Sequence, residues 1–232
     1  MPGGLQLFLL RHGETVCPTS FYGHRDVALS DRGRAQALSQ ARWLERVRLT
    51  AIYCSDLERA HHGARAVAER QEAAHGDAPR VEVLPALREM YLGVFEGLAF
   101  AEARTRYPAL ARLRYDDLLD TRIPGGESVR DVSARVLPCA IGLATRHLAD
   151  GRGDGAAAIA VVAHNTVLRV ILAHSAGLGP AGYTRFRQGC GGISRVDLPE
   201  AVSDPFARAT IVFTNMRPDA ERPEETSHQP PR

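Results

Sequence analysis

Two apolar runs constrain this chain more than any other feature, because each ends abruptly in a residue that can do chemistry. Leu5 to Leu10 runs into Arg11-His12-Gly13-Glu14-Thr15, and Ala158 to Ala163 runs into His164. The first run is broken only by Gln6, long enough for a strand and too short to span a membrane. It reads as a central strand of an α/β sheet, apolar throughout because helices cover both faces. Functional groups in open α/β sheets sit just beyond the carboxyl ends of such strands. Arg11 offers a rigid fork of donors for phosphate or carboxylate, His12 can attack phosphorus as a neutral imidazole, and Gly13 lets the backbone approach a ligand closely. Alone, Arg-His-Gly is also what a strand end followed by a turn with a surface histidine looks like.

The rest of the chain fits one α/β domain. Its 232 residues can bury one substantial core, and 44% hydrophobic with 24% charged residues is ordinary for a soluble domain. The basic residues are all Arg, and a formal net charge of +2 does not indicate a nucleic-acid surface. Cys17, Cys54, Cys139 and Cys190 are widely spaced and form no Cys-x-x-Cys pair, which argues against structural zinc and a disulfide scaffold. A cytoplasmic setting follows as the simplest expectation, since the first apolar run leads into Arg11-His12 and not into a cleavage site.

Strands and helices alternate along the sequence. Ser30 is a plausible N-cap for a helix with apolar positions at Ala37, Leu38, Ala41 and Leu44. Ala51 to Cys54 reads as a strand and Leu57 to Ala74 as a helix, broken at His75 to Pro79. Val81 to Leu84 reads as a third strand, and 99 to 119 as helical with an interruption at Pro108. Pro124 to Ser128 turns into a helix reaching Leu148, and Gly151 to Gly155 reads as a flexible loop. Thr166 to Ala176 reads as a helix, and Ile193 to Leu198 and Ala209 to Thr214 as the last strands. These divide the chain into a domain over 1–216 and a Pro, Glu and Ser-rich tail over 217–232 expected to be disordered.

Several separated segments together resemble the histidine phosphatase superfamily, also called the phosphoglycerate mutase-like family. They are Leu10 to Thr15, Gly23 with Asp26, Leu29 to Gly33, Ser55 to Ala60, Leu87-Arg88-Glu89 with Gly93 and Glu96-Gly97, Pro124 to Ser128, and Val161 to His164. They stand in family order and cover residues 5 to about 175. The resemblance implies a three-layer α/β/α sandwich with a mostly parallel central sheet. It further implies His12 as acceptor of a phosphoryl group, with Arg11, Arg59 and a protonated His164 around its oxygens and Glu89 as proton donor to the leaving oxygen. Gly23, Tyr22, Asn165 and Thr166 are expected to contact substrate. Two guanidiniums and a protonated imidazole supply charge stabilisation without a metal, so no cofactor is implied. Taken singly, Arg59 also fits a solvated helix face, Glu89 a surface carboxylate and His164 a satisfied core histidine. His61-His62 are adjacent helical residues that point apart, a poor metal pair.

Three positions depart from the family pattern. Pro18 stands where Asn is common, Gly63 where a hydroxyl residue is common, and Asn165 follows the second histidine where Gly is commonest. Asn165 and Thr166 can instead offer helix N-terminal N–H groups to an anion. After Glu89 the chain reads Met90-Tyr91-Leu92-Gly93, without the Arg-His-Tyr-Gly of the mutases or their later paired arginines and prolines. Hydrolysis of a small-molecule phosphomonoester is the expectation; cofactor-dependent mutase-type transfer and a non-catalytic phosphate-binding or interaction module are the alternatives. Arg104, Arg106, Arg112 and Arg114 favour an acidic substrate or form a solvated basic face, and Arg122 faces substrate or solvent. No nucleic-acid or membrane partner is implied, and a homodimer stays open.

Overall fold

The computed structural model describes residues 4–150, 156–199 and 203–218. Six strands form one sheet: β1 (Leu5–Arg11), β2 (Ala51–Cys54), β3 (Arg80–Val83), β4 (Ala157–Ala163), β5 (Ile193–Leu198) and β6 (Thr210–Met216). Their order is β3-β2-β4-β1-β5-β6. β1, β2, β3 and β4 pair in parallel, while β5 runs antiparallel to both β1 and β6. The α-helices among the described residues are α1 (Asp31–Leu44), α2 (Glu58–His75), α3 (Phe100–Arg106), α4 (Val129–Ala149) and α5 (Asn165–Ser175).

The period of two along each central strand sorts its side chains into two cores. Leu5, Leu7 and Leu9 of β1, with Ile159, Val161 and Ala163 of β4, pack under α4 and α5. Phe8 and Leu10, with Ile52, Cys54, Ala160 and Val162, pack under α1 and α2. Both faces are covered, which makes the sheet the middle layer of an α/β/α sandwich and explains why these strands read as unbroken apolar runs.

Local signals set the helix ends. Ser30 caps α1 by accepting from the Gly33 N–H, and Ser128 with Asp131 forms a reciprocal capping box at α4. Gly76, in the left-handed region at φ 82°, closes α2. The helix expected over 99 to 119 is instead α3 followed by two short 3₁₀ turns, Leu110–Arg112 and Tyr115–Leu119. Pro108 is the cause: it pushes Tyr107 out of the helical region, to φ −134°, ψ 60°. In α1 the expected apolar face shifts too, since Leu38 is exposed while Gln36 and Gln40 are buried.

The four cysteines are free. Among the described residues no helix is long and apolar enough to cross a membrane. The expected loop over Gly151 to Gly155 and nearly all of the expected tail lie outside the described residues.

Candidate active site

Sheet register brings the two strand-end histidines together. Arg11 pairs with Ala163 and Cys54 with Val162, so β1, β4 and β2 stop side by side, and His12, His164 and the segment leading to Arg59 leave the sheet at one edge. The His12 amide donates to the Ala163 carbonyl (3.1 Å) and the Ser55 amide to the Val162 carbonyl (3.2 Å). The imidazoles of His12 and His164 lie 5.1 Å apart, centroid to centroid.

The segments that resemble the family clip onto one another. A Cβ on Gly13 would stand 2.1 Å from the Gly33 carbonyl oxygen, and one on Gly33 would stand 1.9 Å from that of Glu14. Gly13 thus serves close packing of the β1 exit against α1, not the close approach to a ligand expected from the sequence. Gln36 and Gln40 are buried because they satisfy that same exit: Gln36 accepts from the Glu14 amide, and Gln40 donates to the carbonyls of Arg11 and Gly192. Asp56 accepts from Arg88 at 2.8 Å, which ties the β2 exit to the segment carrying Glu89 and holds the Asp56 carboxyl below the usual range. Asp26 accepts from the Glu58 N–H and so caps α2, whose own N-cap Leu57 has no side-chain acceptor.

His12 is oriented by its neighbour. Its Nδ1 lies 2.7 Å from the Gly13 carbonyl, which can only accept, so Nδ1 carries the proton and Nε2 keeps its lone pair. Burial, then the charges of Arg11 and Arg59, push His12 well below the ordinary histidine range. The same causes, burial and Arg59 foremost, lower His164. Burial and the Arg59 charge thus favour the neutral ring of His164 in the chain by itself, whereas the resemblance has it protonated around a bound phosphoryl group.

Arg59 is 1% exposed and reaches back from α2 into the loop after β1. Its guanidinium donates to the carbonyls of Arg25 (2.9 Å), Gly23 (2.7 Å) and Tyr22 (3.3 Å), and it forms no ion pair among the described residues. Glu96 stiffens that loop by accepting from the amides of Gly23, His24 and Arg25. Gly23, expected at the substrate, does not line the cavity; a Cβ there would stand 2.1 Å from the Met90 carbonyl oxygen, so this glycine permits the loop to pack behind Arg59. Arg11 donates to the Gln188 carbonyl at 2.5 Å. The Nε atoms of Arg11 and Arg59 and both ring nitrogens of His164 are buried and have no hydrogen-bond partner among the described residues.

The Glu89 carboxylate accepts from the Met90 amide at 2.8 Å and from the Thr166 amide at 3.3 Å. The anion met by the start of α5 is thus the protein's own carboxylate. Sequence reasoning missed what holds Glu89. Its carbonyl accepts from His24 (2.9 Å) and Arg135 (2.9 Å); Arg135 also donates to the carbonyls of Ala86 and Arg88 and pairs with Glu127, which in turn accepts from the Tyr91 amide. Burial pushes the Glu127 carboxyl up, but Arg135 and the Tyr91 N–H outweigh it and hold it below the usual range. Glu96 and Glu127 lie within recognised segments, so a signal existed; for Arg135 the signal is a charge eight residues beyond Glu127 on a helix with a buried apolar stripe.

A cavity of about 470 Å³ opens beside these groups; His164, fully buried behind His12, does not line it. Arg11, His12, Arg59, Glu89, Asn165 and Thr166 line one side, with Tyr22 and Pro18 beside them. Of the four arginines over 104 to 114, only Arg104 lines it; Arg106 pairs with Glu102, and Arg122 pairs with Asp131. Gly63 faces the sheet, where a Cβ would stand 3.2 Å from Val162, so its missing hydroxyl reflects close helix-to-strand packing. Among the described residues no cluster of three or more His, Cys, Asp or Glu could hold a metal.

Two guanidiniums, two imidazoles and a carboxylate gathered beyond one edge of the sheet are suited to holding a tetrahedral oxyanion and exchanging protons with it. The chain belongs to the Histidine phosphatase superfamily (branch 1), whose sequence model matches residues 7–203. It is 33% identical over 211 residues to a glucosyl-3-phosphoglycerate phosphatase of Mycolicibacterium vanbaalenii, covering 89% of this chain and 90% of that one. It is 30% identical over 178 residues to a 2,3-bisphosphoglycerate-dependent phosphoglycerate mutase of Gloeobacter violaceus, covering 75% of this chain and 77% of that one. The structure of a mycobacterial glucosyl-3-phosphoglycerate phosphatase superposes with a TM-score of 0.78 at 29% identity, covering 91% of this chain and 99% of that chain.

Proposed function

We propose that this protein hydrolyses a small-molecule phosphomonoester through a phosphohistidine on His12. The enzyme class is that of the phosphoric monoester hydrolases, in keeping with the phosphatases among its relatives. The observation that carries the reading is Arg59: a buried cation costs on the order of several kcal/mol unless an opposite charge compensates it, and among the described residues its guanidinium hydrogen-bonds carbonyl oxygens and lies over the Tyr22 ring but forms no ion pair. A phosphate dianion between Arg59, Arg11 and His164 supplies that charge and meets the unpartnered nitrogens.

The chemistry then balances without further groups. His12 Nε2 donates its electron pair to phosphorus as the bond to the leaving oxygen breaks, and Glu89 gives that oxygen a proton, releasing the alcohol. Water next attacks phosphorus, the P–N bond breaks, and the water's proton returns to Glu89. Arg11 and Arg59 offset the charge on the equatorial oxygens, the part a metal ion plays elsewhere. Hydrolysis is favoured over mutase-type transfer because, among the described residues, Arg104 is the one cation on the cavity wall beyond the catalytic groups, too little to hold a second phosphate.

The test is a panel of phosphomonoesters that includes 3-phosphoglycerate, read by phosphate release, with rapid quenching to trap labelled protein. Release that disappears in His12→Ala, with acid-labile label on His12 in the parent, supports the reading. Isomerisation without release, or inertness toward every ester, overturns it.

A further inference from the structure

Resting on the hydrolase reading above, we infer that the alcohol released from this site carries an apolar body of several carbons, and that the substrate is an alkyl-type phosphomonoester in preference to a sugar phosphate or phosphorylated hydroxy acid. Away from the catalytic groups the cavity wall is polar only at Ser20, Tyr22 and Arg104. The remainder is hydrocarbon, led by Phe21, Phe95, Phe100, Leu110, Leu113 and Leu118. These side chains form their own satellite core: Phe21 stacks on Phe95 at 4.8 Å and meets Phe100 edge-on at 4.7 Å. The packing fixes the wall to the catalytic loop, since the Phe21 amide donates to the Leu98 carbonyl and the Phe100 amide to that of Thr19.

Such a wall discriminates by what it lacks. A sugar or hydroxy acid placed there would give up hydration of its hydroxyls against phenyl and leucyl faces, with few partners in return. A hydrocarbon body gives up nothing and removes both surfaces from water. The volume, about 470 Å³, is that of a small-molecule site and exceeds what phosphate alone needs. Four arginines in the covering segment suggest acidic substrates from the sequence, yet three of them do not line the cavity.

The decisive experiment compares n-alkyl phosphates from ethyl to hexyl, whose leaving-group acidity is nearly constant, so that chain length isolates contact with the wall. We expect kcat/KM to rise by about fourfold per methylene until the cavity fills. Hexyl phosphate should also surpass glycerol 3-phosphate and 3-phosphoglycerate. Phe100→Ala, at a ring already 37% exposed, should lower kcat/KM for hexyl phosphate more than for ethyl phosphate. A flat series, or 3-phosphoglycerate as the better substrate, overturns this inference while leaving the hydrolase reading standing. Equal fractional losses for both esters in Phe100→Ala overturn the wall's role. Inertness toward all esters with no label on His12 removes the hydrolase reading, and this inference with it.

Discussion

The two sides of the cavity are built on opposite plans. The catalytic side draws single residues from the ends of β1, β2 and β4 and from the segment after β3, and nearly every one is fixed by hydrogen bonds: His12 through Gly13, Arg59 through three carbonyls, Glu89 through Met90, Thr166, His24 and Arg135. The opposite wall comes mostly from one stretch between Leu92 and Ile123, held by ring stacking and leucine contacts. Hydrogen bonding demands particular atoms at particular distances, so few residues serve at each position on the catalytic side. Apolar packing accepts any side chain of suitable volume, so the wall is free to change with substrate.

The largest expected effect tests whether the catalytic side acts as a unit. His12→Ala should lower kcat by about 10⁴-fold or more, because loss of a nucleophile disables the groups arranged around it. Phosphate release under saturating ester measures this, and an unchanged melting temperature would separate it from misfolding.

Next in size is the support beneath Glu89. Arg135→Met removes donors to the carbonyls of Ala86, Arg88 and Glu89 and leaves Glu127 without its cation. A displacement of about 1 Å costs about 10²-fold, so kcat should fall by that order while KM, set by Arg11, Arg59 and the wall, changes little. A parallel rise in KM would mean that Arg135 shapes binding and not the placement of the carboxylate.

A pH comparison probes the same side through stability. Burial holds His12 and His164 below their unfolded range, so the unfolded chain binds more protons as pH falls below about 6.5. Their contribution is fully present above that pH and is lost as pH drops toward the folded values. His164→Asn should therefore make the melting temperature less sensitive to pH between about 7 and 5 than it is in the parent. Equal slopes would place the acid sensitivity in the carboxylates.

The smallest effect lies on the wall. Arg104 is exposed and makes no ion pair among the described residues. Arg104→Gln should lower kcat/KM by less than about tenfold, and only for esters whose alcohol bears a carboxylate, as expected of a solvent-screened charge. A general loss across neutral alkyl esters would make Arg104 part of the phosphate site.

The contrast between the two sides is also one of legibility. Arg11, His12, Arg59, Glu89 and His164 could be picked out by residue type and order, and the structure gathers them at one edge of the sheet. Asn165, Thr166 and Tyr22 line the cavity, whereas Gly23 packs behind it. The supporting roles of His24, Glu96, Glu127 and Arg135 escaped notice, although Glu96 and Glu127 lie in recognised segments, because most of their partners are backbone carbonyls and amides, which carry no sequence signature. The wall escaped for another reason: Phe100, Leu110, Leu113 and Leu118 are indistinguishable in sequence from ordinary core residues, and Pro108 turned their expected helix into a short helix and two 3₁₀ turns.

By itself the sequence determined the alternation of strands and helices and the set of phosphate-compatible groups, since apolar periodicity and reactive residue types are local properties, and the family resemblance of its motifs implied the sandwich. Only the tertiary structure decided that β4 inserts between β1 and β2 so that His12 meets His164, that Thr166 faces Glu89, and that His164 is buried beside Arg59, which lowers its pKa. Strand order, burial and the distances between charges depend on residues far apart in the chain, and no local pattern encodes them.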